Sequence, residues 1–426
     1  MAENKITSIE NAILGECYYK IEHKSGLSIY VYPKPEYTSA YAVFGTKYGS
    51  IDTRFKRSDR DGFTEIPAGT AHFLEHKLFE SEELDAFQRY AVTGASANAY
   101  TSFDRTCYLF TCTGHFEKNF EILLDFVRHP YFTEETVRKE QGIIGQEIDM
   151  YKDSPEWECL FNMLEAMYHK HPVKIDIAGT KQSISEITAD MLFGCYDTFY
   201  NLSNMALAVA GNVSVETVVE IADKMLKADE RVTVERAFEE EPLEIVKAYT
   251  EEKLPVATPV FCFGYKERFP EAECSLKEEI AMTILLDIVA GQISPLYKEL
   301  LDDGLINGTF ATEFFNGFGY YSNMFSGESS HPETVAQKIK DRIATLKKDG
   351  VTKEQFEMVR KKQYGKTVRA FTDIDTVANA LVISHFENEE LFEEFNVIKS
   401  MELEFVNDLL HKCFNEDKSV LSVVKN

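Results

Sequence analysis

Two histidines and a glutamate stand within five residues in His72-Phe73-Leu74-Glu75-His76. On a helix, a four-residue step returns a side chain to nearly the same face one turn on. His72 and His76 can therefore turn their imidazoles toward one ion, with Glu75 beside them at its rim. Imidazole nitrogens suit a dication such as zinc. A carboxylate next to a metal-activated water can take its proton and leave a nucleophile. The chemistry that this combination serves is hydrolysis.

The plain alternative is an ordinary helix face that carries two histidines. A third protein ligand separates the two readings, because a catalytic zinc takes three and keeps a position for water. A long helix is expected from Thr133 as N-cap, with Glu134 and Glu135 in its first turn, running to Tyr151. Glu140 and Glu147 lie seven residues apart on it, two turns along one face. Apolar Val137, Ile143, Ile144 and Ile148 flank them, so at least one carboxylate is expected to point inward. There it needs a counter-charge, which a dication held by two histidines supplies. Two solvated glutamates are the other outcome.

The motif itself is expected on a helix over 68–79, opened by Gly69-Thr70, with a second helix at 84–92 ended by Gly94. The stretch 96–111 starts with small residues (Ser96, Ala97, Asn98, Ala99) and continues with strand composition. An edge strand of that kind leaves its backbone open to an added peptide strand; a plain sheet strand has the same composition. Upstream, 26–49 reads as two strands joined by a turn at 34–38, and 51–65 as a charged loop. Downstream come helices at 116–127 (stopped at His129-Pro130), 157–168, 189–200 and 216–227, and a buried strand at 205–210.

Residues 228–254, with the run Glu239-Glu240-Glu241, read as an acidic linker between two halves, 1–227 and 255–426. The second half repeats the first in outline: a strand at 256–265, a helix at 275–291, strands at 309–326, a helix at 332–348 and another from Thr352. Phe132-Thr133-Glu134-Glu135 is echoed by Val351-Thr352-Lys353-Glu354, and Arg138-Lys139-Glu140-Gln141 by Arg360-Lys361-Lys362-Gln363. No His-x-x-Glu-His recurs, so one half is expected to carry the chemistry.

A chain of 426 residues with 44% hydrophobic content supports two or three domains with large cores. Its net charge of −26 argues against nucleic acid or an anionic membrane as partner. The start Met1-Ala2-Glu3-Asn4-Lys5 carries no leader pattern, and no apolar run reaches the ~18 residues of a membrane span. Eight scattered cysteines without Cys-x-x-Cys point to reduced thiols and a cytoplasmic location.

Taken together and in this order, the residues resemble the pitrilysin-like inverted-zincin peptidases, the group with the mitochondrial processing peptidases and insulin-degrading enzyme, and within it the YmfH-like bacterial branch. The marks are His72-Phe73-Leu74-Glu75-His76, Asn98-Ala99-Tyr100-Thr101, Glu140 and Glu147, with further likeness over 71–80, 94–103, 130–151 and 171–180. The resemblance implies an α+β fold of two structurally similar halves, each a mainly antiparallel sheet covered by helices, as in the LuxS and processing-peptidase metallohydrolases. It implies Zn2+ held by His72, His76 and Glu147, with Glu75 as general base. Glu140 would accept the free ring N–H of a ligand histidine, and Asn98, Ala99 and Tyr100 would hold the substrate extended. The substrate would be a peptide or unfolded segment, enclosed by a homo- or heterodimer of related chains.

One stretch departs from the family pattern. Active members have an Arg and a Tyr seven apart in the second half, thought to bind substrate and steady the oxyanion. The matching stretch here, Lys298-Glu299-Leu300-Leu301-Asp302-Asp303-Gly304-Leu305-Ile306-Asn307, is one residue short and offers Leu301 and Asn307. A hydrophobic side chain cannot stabilise an oxyanion, so a partner chain bearing the Arg and Tyr is expected. The other reading is a non-enzymatic assembly or maturation factor with a structural metal. Glu75 discriminates, since a structural zinc is normally closed by four protein ligands and needs no base.

Overall fold

Met205-Ala-Leu-Ala-Val-Ala-Gly211 is buried at every position, the pattern of a strand covered on both faces rather than one that alternates between core and solvent. It lies at the centre of the first sheet of a computed structural model that describes residues 3–269 and 273–426. Met1 and Ala2, where the segment read for a leader begins, lie outside the described residues. The chain forms two compact units.

The first unit comprises 1–146, 176–238 and 368–392. Its strands are β1 (Lys5–Asn11), β2 (Glu16–Glu22), β3 (Ser28–Pro33), β4 (Ala40–Thr46), β5 (Arg54–Arg57), β6 (Thr64–Glu65), β7 (Ser96–Thr101), β8 (Thr106–Cys112), β9 (Met205–Gly211) and β10 (Val234–Arg236). Seven form one sheet in the order β1-β2-β3-β9-β4-β8-β7, antiparallel except at β3–β9. The stretch read as a loop at 51–65 instead supplies β5 and β6 to a small sheet, β10-β5-β6. Half-buried Arg236, whose Nε lies 2.5 Å from Oδ1 of buried Asp52, explains charges that look solvated in sequence.

The second unit comprises 147–175, 239–367 and 393–426. Its strands are β11 (Tyr249–Lys253), β12 (Val260–Lys266), β13 (Ala311–Gly317), β14 (Tyr320–Glu328) and β15 (Ser419–Lys425). They order as β11-β15-β12-β14-β13, parallel only at β11–β15. This repeats β3-β9-β4-β8-β7 strand for strand, sense for sense, so the duplication heard faintly in the sequence is a duplication of topology.

The units are not divided where the sequence halves are. Helix Ile374–Glu387, from late in the chain, packs on β3, β4 and β9; helix Pro155–Met167, from early in the chain, packs on β11, β12 and β15. Each sheet is thus roofed by a helix from the opposite half. The acidic stretch 228–254 is likewise structured, supplying β10 to one unit and β11 to the other. Glu241 within it accepts N–H bonds from His169, Lys170 and His171 at 2.8, 2.7 and 2.8 Å and from Lys266 Nζ at 2.6 Å. Burial opposes its charge, but these donors hold the carboxyl at a pKa of about 2.

Among the described residues no single helix is long and apolar enough to cross a membrane; Leu276–Ala290 joined to the bent Pro295–Asp302 passes on length and composition, and the first of the two is buried in the core of its unit.

Buried His171 and half-buried His385, both outside the motif, make stability acid-sensitive. His171 accepts from Val173 N–H through Nδ1 and bonds Phe318 O through Nε2, a neutral imidazole whose pKa burial lowers to about 4. His385 is lowered to about 4 by burial and then by Lys20 and Lys47. Between pH ~4 and ~6.5 the unfolded chain binds more protons than the folded one at these sites. Their contribution is therefore complete above ~6.5 and is lost as pH falls through that window, by up to ~1.4 kcal/mol per pH unit for each group. Urea unfolding should give a stability that drops from pH 7 to 4.5, and His171→Gln should flatten the slope while lowering the value at pH 7.

Candidate metal centre

The motif helix spans Thr70–Leu78, and every residue in it but His76 is buried. A helix buried all round has its rotation fixed by its neighbours. Its start is fixed by two interlocked turns. Gly69 sits at φ 89°, where a Cβ would come 2.4 Å from Ala178 O; Gly179 sits at φ 75°, where a Cβ would come 2.5 Å from Ala68 O. Ser183 Oγ closes the junction on Ala68 O at 2.8 Å. The loop at 177–180 thus belongs to the site as the seat of the motif helix. Gly69→Ala combines left-handed strain with a backbone collision, so it should cost about 1–3 kcal/mol or more and weaken metal binding by displacing His72; thermal unfolding with and without added zinc reads both.

His72 is 8% exposed and His76 half-buried, with ring centroids 4.6 Å apart at 60°. Burial, and then the neighbouring His76, lower the His72 pKa to about 3, which leaves a neutral imidazole with a lone pair to donate. The helix Glu134–Lys152 carries both candidate glutamates, and they divide the work. Glu140, 5% exposed, accepts from His76 Nδ1 at 3.0 Å, a bond that fixes the ring and leaves Nε2 as the nitrogen that could serve an ion. Glu147, two turns on, offers a carboxylate oxygen to the cluster: one ligand atom from each of His72, His76 and Glu147 lie within 4.8 Å of one another. Two nitrogens and one oxygen are a donor set that could hold a dication. Tyr151, one turn past Glu147, stacks on Trp157 with centroids 4.8 Å apart, and Trp157 is the only tryptophan in the chain.

Glu75, 8% exposed, turns to the edge strand, where Thr101 Oγ1 donates to its Oε2 at 2.6 Å. Sequence reasoning missed Thr101 as a partner of Glu75, although strand alternation puts Ala99 and Thr101 on one face. β7 ends the order of the seven-stranded sheet, as an edge strand open to peptide addition would. Asn98 is exposed, and its Oδ1 accepts from Ala99 N–H at 2.9 Å. Tyr100 is turned to the other face, where its hydroxyl donates to Asn379 Oδ1 at 3.0 Å. Leu301 is 45% exposed at the end of its helix. Asn307 braces the turn into β13, donating to Glu328 Oε2 at 2.6 Å and accepting from Thr309 N–H at 2.9 Å.

Comparison with known proteins bears on what this geometry is. Residues 64–181 match the model of the insulinases, peptidase family M16, and residues 186–363 that of the peptidase M16 inactive domain. Over 418 residues the chain is 39% identical to Bacillus subtilis YmfH, named an uncharacterized zinc protease, with 97% of each chain covered. The chain belongs to peptidase family M16. A second relative, YmxG of Bacillus subtilis, also named an uncharacterized zinc protease, is 23% identical over 363 residues, covering 82% of this chain and 86% of its own. Among solved structures, one described as an M16-like peptidase from Alicyclobacillus acidocaldarius superposes with a TM-score of 0.91 at 34% identity, covering 100% of this chain and 99% of the other. A Helicobacter pylori protease shares the fold at a TM-score of 0.81 and 18% identity. The M16 architecture of two similar halves, with sheets covered by helices, is the one seen here.

Proposed function

We propose that this chain is a zinc-dependent endopeptidase subunit that cleaves peptides or unfolded segments. The observation that carries the reading is the pairing of a three-ligand group, His72, His76 and Glu147, with a buried carboxylate, Glu75, that stands beside it without belonging to it. A metal needed only for stability has no use for such a base. The names of the relatives support zinc as the ion. Zinc bound there supplies Lewis-acid activation of water and of the scissile carbonyl.

The chain's own residues do the rest. Glu75 takes the proton of the attacking water and delivers it to the leaving amine. Thr101 holds one carboxylate oxygen of Glu75, and Glu140 fixes the ring of His76. The outer edge of β7 receives the substrate as an added strand, with Asn98, Ala99 and Tyr100 contributing main chain. The chemistry sits in the half 1–227; the half 255–426 is its relative without a motif, joined through 228–254.

Leu301 and Asn307 favour a partner. A related peptidase-fold chain bearing the missing Arg and Tyr completes the oxyanion site, and eight free thiols fit a cytoplasmic setting for the pair. The same two residues also favour the second reading, an assembly or maturation factor with little activity. Cleavage of a quenched peptide library, measured with the chain alone and after mixing with an Arg/Tyr-bearing relative, separates them. Cleavage that appears or rises at least tenfold on mixing supports the subunit reading; none in either case supports the factor.

A further inference from the structure

A second set of metal-binding side chains gathers in the second unit, under the helix that roofs its sheet. Cys262 of β12 stands opposite Ser422 of β15 and Ser326 of β14. Residues opposite one another in an antiparallel pair share a face of the sheet. Alternation puts Met324, two residues before Ser326, on that face too. Helix Pro155–Met167 sets Cys159 down on the same row: its Sγ lies 3.7 Å from Ser422 Oγ, 3.4 Å from Ser422 O and 3.7 Å from Val260 O. Cys159, Cys262 and Met324 are 1%, 4% and 3% exposed. Both cysteines are free thiols, and that of Cys262 makes no hydrogen bond among the described residues.

All three residues line one cavity of about 230 Å³, room enough for an ion to arrive with its water. Glu156, Glu313 and Glu328 line it as well, and no lysine, arginine or histidine is among the lining residues. Glu328 is bonded only by the neutral amide of Asn307, at 2.6 Å, among the described residues. The carboxylates are exposed or half-buried and the sulfurs buried, so hard ligands stand at the mouth and soft ones at the floor. The carboxylates raise the local concentration of any cation. Thiolates and a thioether then select a soft one, Cu(I). A thioether is not among zinc's usual ligands, and calcium and magnesium need an all-oxygen shell.

We propose that Cys159, Cys262 and Met324 form a Cu(I) site, with no ligand in common with the group His72, His76 and Glu147. On uptake two S–H bonds break and two S–Cu bonds form, while the Met324 thioether adds a lone pair. The two protons pass to solvent. Copper stays monovalent and nothing is oxidised.

The test is an anaerobic titration of the whole chain with Cu(I) held by the chromogenic chelator bicinchoninate. Ascorbate keeps the copper reduced, and one equivalent of zinc is present throughout to compete for the histidine group. The chain should take one Cu(I) from the chelator. Cys159→Ser and Cys262→Ser should each weaken uptake by at least about a hundredfold. Met324→Leu, which keeps the volume, should weaken it about tenfold. Cys195→Ser, which alters a buried thiol of the first unit, should leave it unchanged. X-ray absorption at the copper edge of the wild-type chain should show sulfur neighbours alone, a result that no folding defect in a variant can mimic. No Cu(I) uptake, unchanged affinity in Cys262→Ser, or nitrogen neighbours at the copper overturns the site.

Discussion

Glu75→Gln lowers peptide cleavage by about three orders of magnitude, within the range of a lost general base, while the chain still takes up one zinc. The substitution is close to isosteric. The amide oxygen can still accept from Thr101 Oγ1, so the 2.6 Å bond and the packing of a side chain 8% exposed survive. What is lost is the ability to accept a proton. The effect should fall on kcat rather than KM, because Glu75 is asked to act on the attacking water and not to bind the peptide. Steady-state kinetics on a quenched peptide, with zinc quantified by atomic emission, checks both halves of the expectation. A variant that lost zinc as well would show that Glu75 is a ligand.

Glu147→Ala acts one step earlier. A zinc site formed by three protein ligands has a binding free energy on the order of 12 kcal/mol, so removing one ligand costs about 4 kcal/mol, or roughly a thousandfold in affinity. Zinc should then no longer raise the unfolding temperature, and cleavage should vanish at stoichiometric metal. Glu140→Gln is the contrast. Glu140 touches His76 and not the metal position, so its loss should weaken zinc by only about 10–100-fold. Trp157 offers a direct reading of each titration, since it stacks on Tyr151 in the same helix as Glu147.

The parts of the site that sequence made legible are those whose geometry is local. A four-residue step puts His72 and His76 together whatever surrounds the helix, and a seven-residue step puts Glu140 and Glu147 on one face. Which of the two glutamates reached the cluster was not a local question; it depended on how the long helix lies against His76, and the family resemblance, not the spacing, pointed to Glu147. Thr101 escaped notice for a similar reason. Its partner is 26 residues away in sequence and belongs to another element.

The fold shows the same division. The strands and helices around the motif lie close to where periodicity puts them, since burial on one face writes itself into the sequence. The reciprocal roofing of the sheets by Ile374–Glu387 and Pro155–Met167 left no mark, because an apolar helix face does not say which sheet it covers. The acidic stretch 228–254 misled through composition. Glu241 is acidic in the sequence, but its charge is met by three backbone N–H groups and Lys266, so it fastens the chain instead of keeping it solvated.

The measurement that bears most directly on the central claim is cleavage of a quenched peptide as zinc is added back to the stripped chain, alone and with an Arg/Tyr-bearing relative. Activity should rise linearly and break at one zinc per chain, and Glu75→Gln should bind the same equivalent with no rise. Cleavage that persists in the stripped chain, or that survives in Glu75→Gln, would contradict it.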